Sequence, residues 1–74
     1  MSAFHVKNGS KVPLNVIIEP FGDRYIFDPG ASYYIDVQGE EGSELEIVHY
    51  DGGLAIWTHG LSNVYFDEKL LKPS

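Results

Sequence analysis

The stretch Leu45-Glu46-Ile47-Val48-His49-Tyr50-Asp51-Gly52-Gly53-Leu54-Ala55-Ile56-Trp57 decides the fold class. Two runs rich in β-branched and aromatic residues flank Asp-Gly, among the strongest short-range hairpin signals. A two-residue Asp51-Gly52 turn pairs Glu46 with Trp57, Ile47 with Ile56 and His49 with Leu54, and sets Leu45 opposite Thr58 and Glu44 opposite His59. Strand alternation then puts Leu45, Ile47, Leu54 and Ile56 on the core face and Val48, Tyr50, Ala55 and Trp57 on the other. A three-residue Asp-Gly-Gly loop instead sets Trp57 beside Ile47, on a face with Leu45 and Ala55. The two-residue turn is the preferred register, and it leaves a second face too apolar for open solvent.

Outward from this hairpin, turn signals recur at Asn8-Gly9-Ser10, Phe21-Gly22-Asp23, Asp28-Pro29-Gly30, residues 39–42 and His59-Gly60. The intervening segments, near 3–7, 12–19, 24–28, 32–38, 44–50, 54–58 and 62–67, read as strands, and none carries the i, i+3, i+4, i+7 pattern of a helix. Residues 67–72 fit either a final helical turn or a last strand. The expected fold is all-β: a small antiparallel β-sandwich or open barrel of about seven short strands joined by tight hairpins, one domain over 1–74. A three-residue loop at Asn8-Gly9-Ser10 pairs Val6 with Val12 and Phe4 with Leu14, so that Phe4, Val6, Val12, Leu14, Val16 and Ile18 share one face. In strand 32–38, Tyr33, Ile35 and Val37 take one face and Tyr34, Asp36 and Gln38 the other.

Seventy-four residues without cysteine leave no disulfides, thiolate metal sites or thiol chemistry. A domain this small buries only about 60% of its unfolded surface, so its ten aromatics (one Trp, five Tyr, four Phe) are needed for the core or for association. Eleven acids against five scattered Lys and Arg give a net charge of −6. That balance argues against nucleic acid and anionic membranes, which are bound through clustered cations, and suits a basic partner surface. The first residues lack the apolar core of a signal peptide, and no apolar run approaches the ~20 residues of a membrane span. A cytoplasmic protein is the expectation.

The segment Leu14-Asn15-Val16-Ile17-Ile18-Glu19-Pro20-Phe21-Gly22-Asp23-Arg24-Tyr25, followed by Asp28-Pro29-Gly30, resembles a pattern in short uncharacterised bacterial proteins. In these a strand ends in Glu-Pro-aromatic-Gly, a short strand follows, and Pro-Gly introduces a third. The resemblance spans residues 12–38 and implies a small bacterial or phage-related β domain, with no activity to carry over. The residues also have plain structural roles. Pro20 cannot serve as a central ladder donor, Gly22 can supply a positive φ, and Pro29-Gly30 suits the centre of a type II turn.

Catalytic signals are thin. His5, His49 and His59 have no metal-ligand spacing, and a two-residue hairpin sets His49 and His59 roughly 16 Å apart. The Glu44–His59 pair reads as a solvated cross-strand ion pair rather than an oriented base. No G-x-S-x-G elbow accompanies the serines, and Glu40-Glu41-Gly42 lacks the order of a calcium loop. No catalytic residue, metal ligand or cofactor is therefore assigned. Phe21, Tyr25, Tyr34, Trp57 and Tyr65 offer a platform for a sugar or peptide, but the core competes for them. The functional expectation is a non-enzymatic protein-interaction module, binding a protein partner or itself as a homodimer. Trp57, Tyr34, Tyr50 and Val48 would form the contact and Glu44 and Glu46 the acidic rim; an inhibitor or immunity-type role against a basic surface falls within that class. The alternatives are a small-molecule or carbohydrate-binding domain and a small metal-assisted hydrolase.

Overall fold

The computed structural model describes residues 2–38 and 45–74. They form eight strands: β1 (Ser2–Lys7), β2 (Leu14–Glu19), β3 (Asp23–Phe27), β4 (Ser32–Val37), β5 (Glu46–Tyr50), β6 (Gly53–Trp57), β7 (Ser62–Phe66) and β8 (Lys69–Leu70). No helix among these residues is long and apolar enough to cross a membrane. The strands make two open four-stranded sheets, β1-β4-β7-β8 and β3-β2-β6-β5, so the expected all-β class holds and a closed barrel does not form.

One core joins the sheets. Val16, Ile18, Tyr25, Phe27 and Ile56 enter it from the second sheet, and Tyr33, Ile35, Val37 and Val64 from the first. Each set follows the two-residue alternation of its strand. Tyr33 stacks on Phe27 with ring centroids 3.8 Å apart, and its hydroxyl accepts from the Asp28 N–H at 2.9 Å. The phenol thus enters the core without an orphaned oxygen.

Two expectations are corrected. The Asn8-Gly9-Ser10 segment does not close a hairpin: β1 pairs with β4, placing Phe4 opposite Ile35 and Val6 opposite Tyr33, while β2 lies in the other sheet. Phe4, Val6, Leu14, Val16 and Ile18 do all pack into the core, but from two sheets, and Val12 is exposed. The sheets are also not wholly antiparallel, because β2 and β6 run parallel, with Val16 level with Leu54 and Ile18 with Ile56.

Two buried polar residues hold both departures in place, through side-chain and backbone hydrogen bonds together. Asn8 and Thr58, each 2% exposed, are the buried polar residues of the described chain. Asn8 donates through Nδ2 to the Val12 and Phe27 carbonyls (2.8 and 2.9 Å) and accepts at Oδ1 from the Ser10 N–H and hydroxyl (3.0 and 2.8 Å). Its backbone N–H donates to the Ala31 carbonyl and its own carbonyl accepts from the Gly30 N–H. The end of β1 is thereby tied to the turn before β4, and the chain is sent across to β2. At the opposite end of the strands, the Thr58 N–H donates to the Glu19 carbonyl at 3.1 Å, which keeps the end of β6 beside the end of β2. The Thr58 hydroxyl accepts from Ser62 Oγ (2.8 Å) and donates to the Gly60 carbonyl (3.0 Å), where the chain crosses to β7.

The turns follow their residues. The Ala31 N–H donates to the Asp28 carbonyl, and Gly30 takes φ +75°, as a type II turn with Pro29 at its second position requires. Gly22 is likewise at φ +73°. The β5–β6 register is the two-residue one: Glu46 opposite Trp57, Ile47 opposite Ile56, Tyr50 opposite Gly53. Only Gly52 of its two turn residues has positive φ, so the turn is not type I′. Asp67 and Glu68, by contrast, both adopt positive φ (51° and 66°) and fold β8 back on β7, which makes the last segment a strand.

Tyr25 is 6% exposed, and burial pushes its phenol above the ordinary 10.0, with the Asp23 carboxylate adding to the rise. Below pH 10 both native and unfolded chains hold this proton. As the pH rises beyond that, the unfolded chain releases it first, so native stability falls. Urea midpoints at pH 8 and about pH 10.5 should drop less for Tyr25→Phe than for the wild type, and an equal drop would contradict this assignment.

Candidate interaction surfaces

The residues expected to form one contact lie on two sheets. Glu46, Val48 and Trp57 share the outer face of the second sheet with Tyr50, because Glu46 pairs with Trp57, Val48 with Ala55 and Tyr50 with Gly53. Tyr34 belongs to β4 in the first sheet. Glu44 lies outside the described residues, and with it the Glu44–His59 pair, as do Glu40 and Glu41.

Edge position governs the first surface. β5 ends its sheet, and all five of its residues are exposed. Leu45 and Ile47, expected in the core, are 46% and 51% exposed, whereas Ile56 opposite Ile47 is fully buried. The core holds no β5 residue, so the cover supplied by the first sheet stops at β6. With Val48 at 42% and Tyr50 at 37%, β5 is apolar on both faces. Trp57 is half-buried beside it, its ring 6.3 Å from that of His59. The opposite edge is treated differently: Ser74 donates through N–H and hydroxyl to the Arg24 carbonyl on β3 (2.8 and 3.2 Å). An apolar, uncovered edge strand is a pairing template.

The second surface is a groove of about 530 Å³ on the outer face of the first sheet. His5 on β1 pairs with Tyr34 on β4, and Tyr34 with Tyr65 on β7, so three rings lie in a row across the strands. The His5 ring meets Tyr34 edge-on, with centroids 4.9 Å apart. Along β4, Asp36 stands two residues to one side of this row. The Asp67-Glu68 turn stands on the other side, level with Ser32 when the β4–β7 register is continued two residues beyond Tyr65. Of the five residues expected to form an aromatic platform, Tyr34 and Tyr65 meet here. Tyr25 is core, Phe21 is exposed in the β2–β3 turn, and Trp57 is on the other sheet. The groove escaped the sequence reading because it needs β1, β4 and β7 side by side, and no local pattern orders strands that distant.

Among the described residues no three His, Asp or Glu side chains are grouped to hold a metal ion. Compared with protein-family models, curated proteins and solved structures, the chain matches none.

Proposed function

We propose that this protein is a small non-enzymatic β-sandwich that works as an interaction module, pairing its β5 edge with the β5 edge of a second copy. The observation that carries the reading is the exposure of all five β5 residues on a strand that is apolar on both faces. Antiparallel pairing about a twofold axis at Val48 sets Ile47 against His49 and Glu46 against Tyr50, so no acid of the strand meets an acid. Such pairing extends the sheet through main-chain hydrogen bonds and covers Ile47, which the single chain leaves at its rim. A cytoplasmic setting goes with this reading, since nothing in a chain without cysteine calls for an oxidising compartment.

Sedimentation of the full chain at high micromolar concentration tests it, with a species of twice the 8.3 kDa chain mass expected. Added salt should favour that species by screening the −6 charge on each copy; docking on a basic partner would weaken instead. Val48→Lys would oppose two lysines at the axis and should give a folded monomer. A wild-type chain that stays monomeric to about a millimolar, where binding free energy is only about 4 kcal/mol, overturns the proposal.

A further inference from the structure

We infer that the groove on the outer face of the first sheet is a binding site for a linear aliphatic polyamine, extended across Tyr34 with an ammonium group at each end. The site is independent of the β5 edge, which lies in the other sheet. Its volume of about 530 Å³ is that of a small-molecule site. Its floor is aromatic: Tyr34, 40% exposed, with Tyr65 and His5 on either side. Tyrosine faces attract cations and also pack against methylene groups.

Its ends are anionic. Asp36 stands at one and the Asp67-Glu68 turn at the other, with backbones about 13 Å apart at the rise of a strand. Asp36 is half-buried and lines the groove, and its enclosed Oδ1 accepts no hydrogen bond from any described residue. A carboxylate so poorly compensated is costly, and an ammonium group at that end of the groove matches its charge. The separation of the carboxylates, with no third ligand grouped beside either end among the described residues, favours an organic cation over a metal ion. A single compact cation would engage one end only, so the distance between the anionic ends selects a ligand charged at both.

Calorimetry and amide NMR on the full chain, titrated with spermidine at low salt, test this. Saturable one-to-one binding is expected, with shifts centred on His5, Tyr34, Asp36 and Tyr65. Propane-1,3-diamine, too short to reach both ends, should bind at least about tenfold more weakly, and Mg²⁺ should not displace spermidine at equal concentration. Asp36→Asn should lose about tenfold, a difference of about 1.4 kcal/mol, while Asp51→Asn, which removes the same charge from the other sheet, should change nothing. Glu68→Gly gives a positive-φ position the residue that accommodates it. It should keep the fold and still weaken binding several-fold, which covers the case in which Asp36→Asn does not fold. The inference is overturned by absence of saturable binding, by equal affinity for Mg²⁺ or the short diamine, by shifts spread over all surface acids, or by unchanged affinity in Glu68→Gly.

Discussion

Asn8→Asp should leave the domain largely unfolded at neutral pH, with a loss of about 4 kcal/mol or more. The substitution keeps the side-chain shape and inverts its hydrogen bonding. Nδ2 lies 2.8 and 2.9 Å from the Val12 and Phe27 carbonyls; a carboxylate oxygen there would face two acceptors and carry a charge at a site 2% exposed. Asn8→Ala removes the same bonds without adding charge, and should cost about 2–3 kcal/mol for the carbonyls left without a donor. A chain of this length has only about 4–11 kcal/mol of total stability, so the two variants should separate clearly in urea unfolding followed by far-UV circular dichroism. The gap between them should narrow as pH falls, because protonating the new carboxyl restores one donor. If Asn8→Asp proved as stable as Asn8→Ala at pH 7, Asn8 would not be the tie between the sheets.

Gly53→Ala should cost about 3 kcal/mol, at the upper end for overpacking, and lower the melting temperature by roughly 15 °C. Gly53 lies between β5 and β2. A Cβ there would collide with the Asn15 backbone oxygen and with the Tyr50 ring, whose hydroxyl and Cζ would lie 2.7 and 2.8 Å away. Tyr50 can rotate off its glycine, but the Asn15 oxygen belongs to the ladder between β2 and β6 and cannot move without breaking it. Neighbouring glycines separate this cause from backbone conformation. Gly52 has φ +85° with open space around it, so Gly52→Ala should cost only the left-handed penalty of about 1–2 kcal/mol. Gly9 has neither constraint, and Gly9→Ala should be neutral or mildly stabilising. Thermal melts of the three variants would show the order, and a Gly53→Ala variant no worse than Gly52→Ala would remove the steric argument.

Strand positions were legible from the residues because alternation and turn chemistry act over a few positions. Asp51-Gly52 between two β-rich runs set the β5–β6 register, and Pro29-Gly30 the turn before β4. The last strand was ambiguous because Asp67 and Glu68 hold a conformation usually occupied by Asn or Gly. Of the residues chosen for contact, Val48, Tyr50, Trp57 and Glu46 do gather on one face, since one hairpin positions them all. Tyr34 does not, because which sheet a strand joins is not a property of its own sequence.

The amino-acid sequence by itself therefore determined the strands, most of the residues that face inward, and the register of the central hairpin. Tertiary structure decided which strands are neighbours: β1 with β4, and β2 parallel to β6. Those choices rest on contacts between residues far apart in the chain. The Asn8 side chain bonds a carbonyl 19 residues away, and the Thr58 N–H donates to the Glu19 carbonyl in a strand distant along the chain. Ile47 shows the same limit in a single side chain: alternation correctly aims it inward, and only the extent of the opposite sheet leaves it exposed.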